Sequence, residues 1–292
     1  MNYNTRQIIP FSDAATGPAS FRRAILHCAD SVLRMHVAEK IVSKIFGRNL
    51  QSHAAGLVVV MHCEAERGAG QRPTLALVQR EMGSARTLAA FFGLLRLAGY
   101  VTREPVPGDA RSAWLVPAAP LFEGLRQWLS HHARCGEILG LAEPGLAERL
   151  RADDAFLRLF LGHARDLFAR TREATAGAGA WAWLDRFDCG DRIGLILLGA
   201  HHRVGAAAGN DPVWFDLHAR EIASRLGLSH SHVRNIVNRS EAEGLLVQDR
   251  LKGRVALTPR LLAESEAWFC SFWDWIAETA RAAQAAEAAP RG

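Results

Sequence analysis

The sequence lacks an apolar run that could cross a bilayer and lacks a secretory leader. Its most apolar stretch, 56–61, is far shorter than the roughly 20 residues that a membrane helix needs. The N-terminus has no basic segment followed by an apolar one. We therefore expect a cytoplasmic protein with no membrane partner.

Motifs of catalysis and of metal binding are also missing. The chain has no P-loop, GxGxxG, GxSxG or HExxH motif and no evident pair of catalytic carboxylates. Its five cysteines include no CxxC pair, and its 12 histidines show no metal-ligand spacing. We predict no enzyme activity, no cofactor and no metal, and we interpret the cysteines as reduced, mostly buried thiols of a cytosolic protein.

Length and charge leave room for two domains and for a polyanionic partner. The chain has 292 residues, 49% hydrophobic and 22% charged, which is typical of a folded globular protein. The formal charge of +5 is compatible with nucleic-acid binding. Many proteins reach this charge without binding DNA, so the charge alone decides nothing.

A pattern of elements occurs twice along the chain. Apolar helix starts at 56–60 and 194–198 are each followed by a break rich in glycine or alanine, a short helix and a longer helix. Glycines and Pro144 within 136–145 indicate a connection between the copies. We predict a loose segment at 1–20, a first lobe at 21–140, a second lobe at 141–283 and a flexible tail at 284–292.

The second copy predicts a helix-turn-helix over about 216–244. A short helix starts near Asp216, which we interpret as its N-cap, and ends before Gly227-Leu228-Ser229. The next helix, 230–243, has one apolar face, and Gly244 is suited to end it. Its other face is polar and carries side chains that can read base edges or hold phosphates. With the start of the helix included, these side chains are Ser229, His230, Ser231, Arg234, Asn235, Asn238 and Arg239.

A β-hairpin is predicted after this helix. Two short apolar segments within 245–258 flank Lys252-Gly253, a pattern typical of a hairpin wing. We place Arg250, Lys252 and Arg254 at its tip, where they would contact phosphates or the minor groove.

The stretch 216–282 resembles the MarR family of bacterial transcriptional regulators. The likeness rests on Ile222-Ala-Ser-Arg-Leu-Gly-Leu-Ser-His-Ser-His-Val, on Glu243-Gly-Leu-Leu-Val and on Leu257-Thr-Pro, which opens a long helix. The resemblance implies a winged helix-turn-helix, flanking helices that pair two units, double-stranded DNA as partner and regulation by a small-molecule effector or an oxidant. We expect a mainly α fold with small β wings, in which two winged helix-turn-helix lobes form a pseudo-twofold dimer within one chain.

The first copy follows the same plan with different chemistry. We predict its helix-turn-helix over about 73–99 and its wing over 100–117, and we assign as DNA-binding candidates Ser84, Arg86, Thr87, Arg103 and Arg111. The outward positions of its second helix hold Ala89, Ala90, Gly93 and Leu94, which cannot read hydrogen-bond patterns. We therefore expect the second copy to supply most of the sequence specificity.

Flanking helices are predicted at 31–46, 121–132, 154–171 and 259–283. The aromatic group around Trp268 and Trp273 is read as core packing in preference to a ligand cage, and Trp181 remains open between the two. The alternative function is a winged-helix module that binds a protein or senses a ligand without binding DNA.

Overall fold

A computed structural model describes residues 17–37, 45–83, 85–205 and 212–289. Within these residues the fold is mainly helical, with two small antiparallel sheets. None of the helices in these ranges combines the length and the apolarity that a bilayer crossing requires.

A helix, a helix pair, a hairpin and a long helix follow one another in both halves of the chain. The first half contains α1 (Pro18–Val37), α2 (Asn49–Glu66), α3 (Leu75–Met82), α4 (Ala85–Leu97), β1 (Val101–Val106), β2 (Asp109–Pro117) and α5 (Ala119–Ile138). The second half contains α6 (Leu146–Ala152), α7 (Asp154–Gly162), α8 (Arg165–Ala176), α9 (Ala180–Leu184), α10 (Gly190–Val204), β3 (Phe215–Asp216), α11 (Ala219–Leu226), α12 (His230–Ala242), β4 (Leu246–Asp249), β5 (Arg254–Leu257) and α13 (Pro259–Ala288). Each half thus has a helix pair, then a hairpin, then a long helix.

Local sequence signals explain the turn within each helix pair. Gly83 and Gly227 end α3 and α11 with φ of 71° and 67°, a left-handed conformation that favours glycine. Thr74 caps α3 by accepting a hydrogen bond from the Leu77 amide, and Ser229 caps α12 in the same way from His232. A glycine turn and a side-chain cap are therefore present in each of the two helix pairs.

The sheets place each helix pair beside its hairpin. Strands β1 and β2 pair antiparallel, and the other sheet has the order β3-β5-β4. A single bridge between Thr74 and Trp114 occupies the place in the first half that β3 has in the second. The prediction that Asp216 caps a helix is wrong, because Asp216 pairs with Arg254 as part of β3, and α11 begins only at Ala219.

Helices of each half pack against helices of the other half in one continuous core. Helix α1 packs against α5 of its own half and against α10 of the other. In return, α8 packs against α13 of its own half and α2 of the first, while α5 and α13 pack against each other. A division of the chain near residue 140 therefore separates the elements in sequence but not the core they share.

The crossing of α5 and α13 is an aromatic cluster. Trp273 is fully buried and donates a hydrogen bond from Nε1 to Nδ1 of His132 at 3.0 Å. Phe272 lies against both His132 and Trp128, with ring centroids 5.0 and 5.5 Å away. The prediction of core packing is confirmed for Phe269, Phe272 and Trp273.

Several predicted boundaries need correction. Helix α1 begins at Pro18, inside the segment 1–20 predicted to be loose, because Phe21 and Ile25 anchor its first turns in the core. Residues 1–16, and residues 38–44 of the predicted helix 31–46, lie outside the described part of the chain. The predicted helix 154–171 is two helices, broken at 163–164.

The ends of α5 and α13 also differ from prediction. Helix α5 runs through Gly136 to Ile138, so the connection between the halves is shorter than 136–145. Helix α13 continues to Ala288, through residues predicted as a flexible tail. Ala283 is buried against the core, and Arg149 forms an ion pair with Glu287 at 2.6 Å, which holds the end of the helix in place. The five cysteines are free and buried, as expected.

Candidate nucleic-acid interface

Helix α12 separates its apolar and polar residues onto opposite faces. Val233, Ile236 and Val237 are at most 1% exposed and pack into the core. The positions between them point outward, because an α-helix turns 100° per residue. The exposed side chains are Ser231, Arg234, Asn235, Asn238 and Arg239, which we call the reading face.

The reading face keeps most of its hydrogen-bonding groups available to a ligand. Arg234 and Asn235 have no hydrogen-bond or ion-pair partner within the described chain. Asn238 Oδ1 accepts one hydrogen bond, from Gln248 at 3.1 Å, and its amide N–H groups remain free to donate. The Arg239 guanidinium lies 5.7 Å from the Phe187 ring centroid and forms no ion pair with any described carboxylate. Such side chains can make bidentate contacts with base edges or single contacts with phosphates.

The start of α12 is anchored to the rest of the molecule. His232 hydrogen-bonds through Nε2 to the backbone carbonyl of Asp188 at 3.0 Å. The Asp188 carboxylate binds the guanidinium of Arg48 at 2.8 Å, and this contact raises the pKa of Arg48. Three contacts therefore fix the position of α12: the packing of its buried face, the Ser229 cap, and the hydrogen bond from His232 to the loop before α10.

The second hairpin carries three cations in three different environments. Lys252 is exposed in the turn, without an ion pair among the described residues. Arg250 is exposed as well, but its guanidinium binds Glu241 of α12. Arg254 departs from its predicted position at the tip. It lies in β5, half-buried, 3.5 Å from the Asp249 carboxylate and over the Trp214 ring.

Both carboxylates of this hairpin region are stabilised in their ionised form. A hydrogen bond from the Lys252 amide and the nearby Arg254 lower the pKa of Asp249. Desolvation opposes ionisation of Glu241, but hydrogen bonds from Gln248 and the charge of Arg250 together outweigh it and lower the pKa of Glu241 overall. Two of the three cations assigned to this hairpin are therefore already neutralised within the protein.

Helix α4 presents a different surface. Arg86 and Thr87 are exposed, as are Ala89, Ala90 and Leu94, so the outward face is apolar between its first turn and Arg96 in its last turn. Leu97 beyond them is 82% exposed. Ser84 lies outside the described residues. In the first hairpin, Arg103 and Arg111 are exposed, and neither has a carboxylate partner within the described ranges.

Sequence reasoning missed two cations of the first half. Arg80 on α3 and Arg96 on α4 are exposed, and neither forms an ion pair with a described residue. The comparison of the two copies considered only the positions of the first copy that correspond to the reading face, and Arg80 and Arg96 lie outside those positions. A plain inventory of arginines on the two helices of the pair would have found both.

No family model, curated protein or solved structure matches this chain. The likeness to MarR regulators therefore rests on the residues quoted for it in the sequence, and membership of that family stays a prediction.

Proposed function

We propose that this chain is a sequence-specific, double-stranded DNA-binding transcriptional regulator of the MarR-like winged helix-turn-helix type. In this proposal α12 enters the major groove and the second hairpin, as a wing, contacts the backbone. The observation that carries the proposal is the reading face, which is polar and basic, exposed and largely unpartnered on a helix whose other face is buried.

The packing of the two halves supports a pseudo-twofold arrangement. The exchange of α1 and α8 between halves and the mutual contact of α5 and α13 have the reciprocity of an isologous interface. Covalent linkage replaces subunit association with an intramolecular contact of high effective concentration. Covalent linkage also allows the second helix of each pair to differ between the halves, as α4 and α12 do.

The alternative is an interaction or ligand-sensing module that does not bind DNA. The exposed apolar face of α4, including Leu94 and Leu97 at 45% and 82%, favours a protein contact at the first helix pair. The two proposals make opposite predictions for DNA. Binding through phosphates weakens steeply as salt rises, whereas a module of the alternative kind shows no such binding.

The test is selection of bound sequences from random duplex DNA with the full chain, followed by titration of the enriched duplex at several salt concentrations. Arg234→Ala and Asn235→Ala should each weaken binding by about 1–3 kcal/mol and relax selectivity at one half-site. Arg151→Ala is the matched control, because it removes an exposed cation from α6 without altering α12.

Two results would contradict the proposal. One is selection that enriches no sequence. The other is binding of an enriched duplex that is unchanged in both α12 variants, which would move the interface elsewhere on the protein. Loss of selectivity after Ala89→Ser and Leu94→Ser as complete as after Asn235→Ala would refute the predicted inequality of the two halves.

A further inference from the structure

A cavity of about 470 Å³ lies between α1, α2, α5, α8, α9, α10 and α13. This volume is in the range of sites that hold small organic molecules. Several aromatic side chains line it, among them Phe168, Trp181 and Trp268. The Trp181 and Trp268 rings lie 5.4 Å apart. Trp181, for which the sequence left core packing and ligand contact open, packs in the core and also lines the cavity.

Two carboxylates, Asp185 and Asp191, face this cavity. Asp185 Oδ2 accepts a hydrogen bond from Asn49 Nδ2 at 2.5 Å. Neither carboxylate forms an ion pair with a described residue. Burial and the neighbouring charge of Asp191 raise the pKa of Asp185 well above its usual range. Ionisation of Asp185 is therefore unfavourable unless a further positive charge lies close to it.

Among the described residues that line the cavity, the other charged groups leave an excess of negative charge. Arg192 is buried and donates to the Phe46 carbonyl at 2.6 Å and to Cys189 Sγ at 3.3 Å. Glu123 forms an ion pair with Arg126, which also binds Asp154. His53 is kept uncharged because burial lowers its pKa. When Asp185 and Asp191 are both ionised, Arg192 is therefore the one guanidinium among the described lining residues that faces these two carboxylates.

We propose that this cavity is a binding site for an organic monocation that carries aromatic or bulky apolar groups. A single positive charge would balance the excess carboxylate. The faces of tryptophan and phenylalanine rings attract cations, and the remaining apolar wall covers the hydrocarbon part of the ligand. Anions of the same shape are disfavoured because they would meet the uncompensated carboxylates.

The cavity wall is connected directly to α12 by the turn 185–190. Asp185 faces the cavity at the start of this turn, and the Asp188 carbonyl at its centre binds His232 of α12. Cys189 has φ of 55°, unusual for a residue with a side chain, and its amide donates to Gly47 at 2.8 Å. A ligand that moves Asp185 would therefore shift the anchor of α12. This second part of the inference rests on the proposed DNA-binding function.

The test of the site compares two probe ions of nearly identical shape and opposite charge. Tetraphenylphosphonium and tetraphenylborate are titrated into the full chain by isothermal calorimetry. We expect the phosphonium ion to bind at least about tenfold more tightly than the borate ion. Equal affinities, or tighter binding of the borate, would overturn the assignment of a cation site.

Substitution of each of the two aspartates tests whether their carboxylates attract the cation. Asp185→Asn and Asp191→Asn keep the shape of each side chain and should each weaken phosphonium binding by about fivefold or more, with borate binding unchanged or stronger. Glu148→Gln in α6 is the control, because it removes an exposed charge away from the cavity. Phosphonium binding that is unaffected in both aspartate variants, or reduced equally in the control, would refute the role of the carboxylates.

Coupling to α12 is tested separately, so that the two proposals can fail independently. Phosphonium binding should change amide hydrogen exchange in 186–189 and in the first turn of α12 but not in the first turn of α4. It should also change the affinity for the selected duplex at least threefold, a shift that His232→Ala removes without altering phosphonium affinity. Phosphonium binding with no exchange change at α12 would refute the coupling. Failure to bind any DNA would instead refute the proposed function and leave the calorimetric result to decide the cavity.

Discussion

Gly190 supports a turn whose geometry permits almost no side chain. A Cβ atom at this position would lie 1.9 Å from the Leu184 carbonyl oxygen and 2.8 Å from its carbonyl carbon. Because these atoms belong to the backbone, a rotamer change cannot relieve the overlap. Gly190→Ala must therefore displace α9, α10 or the residues between them, including Cys189 and its hydrogen bond to Gly47.

The expected cost follows from two opposing effects. Replacing an unstrained helical glycine by alanine stabilises a protein by about 0.5–1 kcal/mol. Forcing an extra carbon into a filled site typically costs about 1–3 kcal/mol, and here the obstacle is backbone. We therefore expect a cost at the upper end of that range, about 3 kcal/mol. After the gain is subtracted, Gly190→Ala should reduce the free energy of unfolding by about 2 kcal/mol.

Urea denaturation, followed by tryptophan fluorescence and circular dichroism, measures the effect. The matched control is Gly124→Ala in α5, where a Cβ would meet no atom within 4 Å. The control should be as stable as the original chain or slightly more stable. A Gly190→Ala protein as stable as the Gly124→Ala protein would refute the packing described for the turn 185–190.

Two further predictions concern α12 and the contact between α1 and α5. Ser229→Ala should lower the free energy of unfolding by about 1 kcal/mol, because it removes the cap of the His232 amide at 3.1 Å. Ser231→Ala leaves this cap in place and removes only the hydrogen bond between the Ser231 and Ser229 hydroxyls, so its effect on the urea midpoint should be smaller. Burial, together with His27, His132 and Arg34, lowers the pKa of His131 to about 4, whereas in the unfolded chain it is near 6.5. Between these values the unfolded state binds a proton that the folded state does not, so stability should fall as pH decreases from about 6.5 to about 4. His131→Gln should flatten the dependence of Tm on pH in this window, and an unchanged slope, or an equal change in the exposed control His218→Gln, would contradict the assignment.

Local features of the sequence determined the helix pairs and their chemistry. The left-handed turns at Gly83 and Gly227, the caps at Thr74 and Ser229, and the start of α13 at Thr258-Pro259 can be recognised from neighbouring residues. The split of α12 into an apolar and a polar face follows from helical periodicity, so the reading face could be predicted residue by residue. The unequal chemistry of α4 and α12 was likewise visible in the sequence.

Contacts between residues far apart in the chain were decided by the tertiary structure. Asp216 has a side chain suited to a helix cap, but strand pairing with Arg254 determines its conformation. Arg250 and Arg254 are cations in the sequence, and only the folded hairpin brings them to Glu241 and Asp249. The cavity depends on residues as distant as Asn49, Asp185 and Trp268, and no local pattern encodes its charge. Periodicity and capping act over a few residues, whereas compensation of a buried charge depends on which elements pack together, and that is fixed only when the whole core forms.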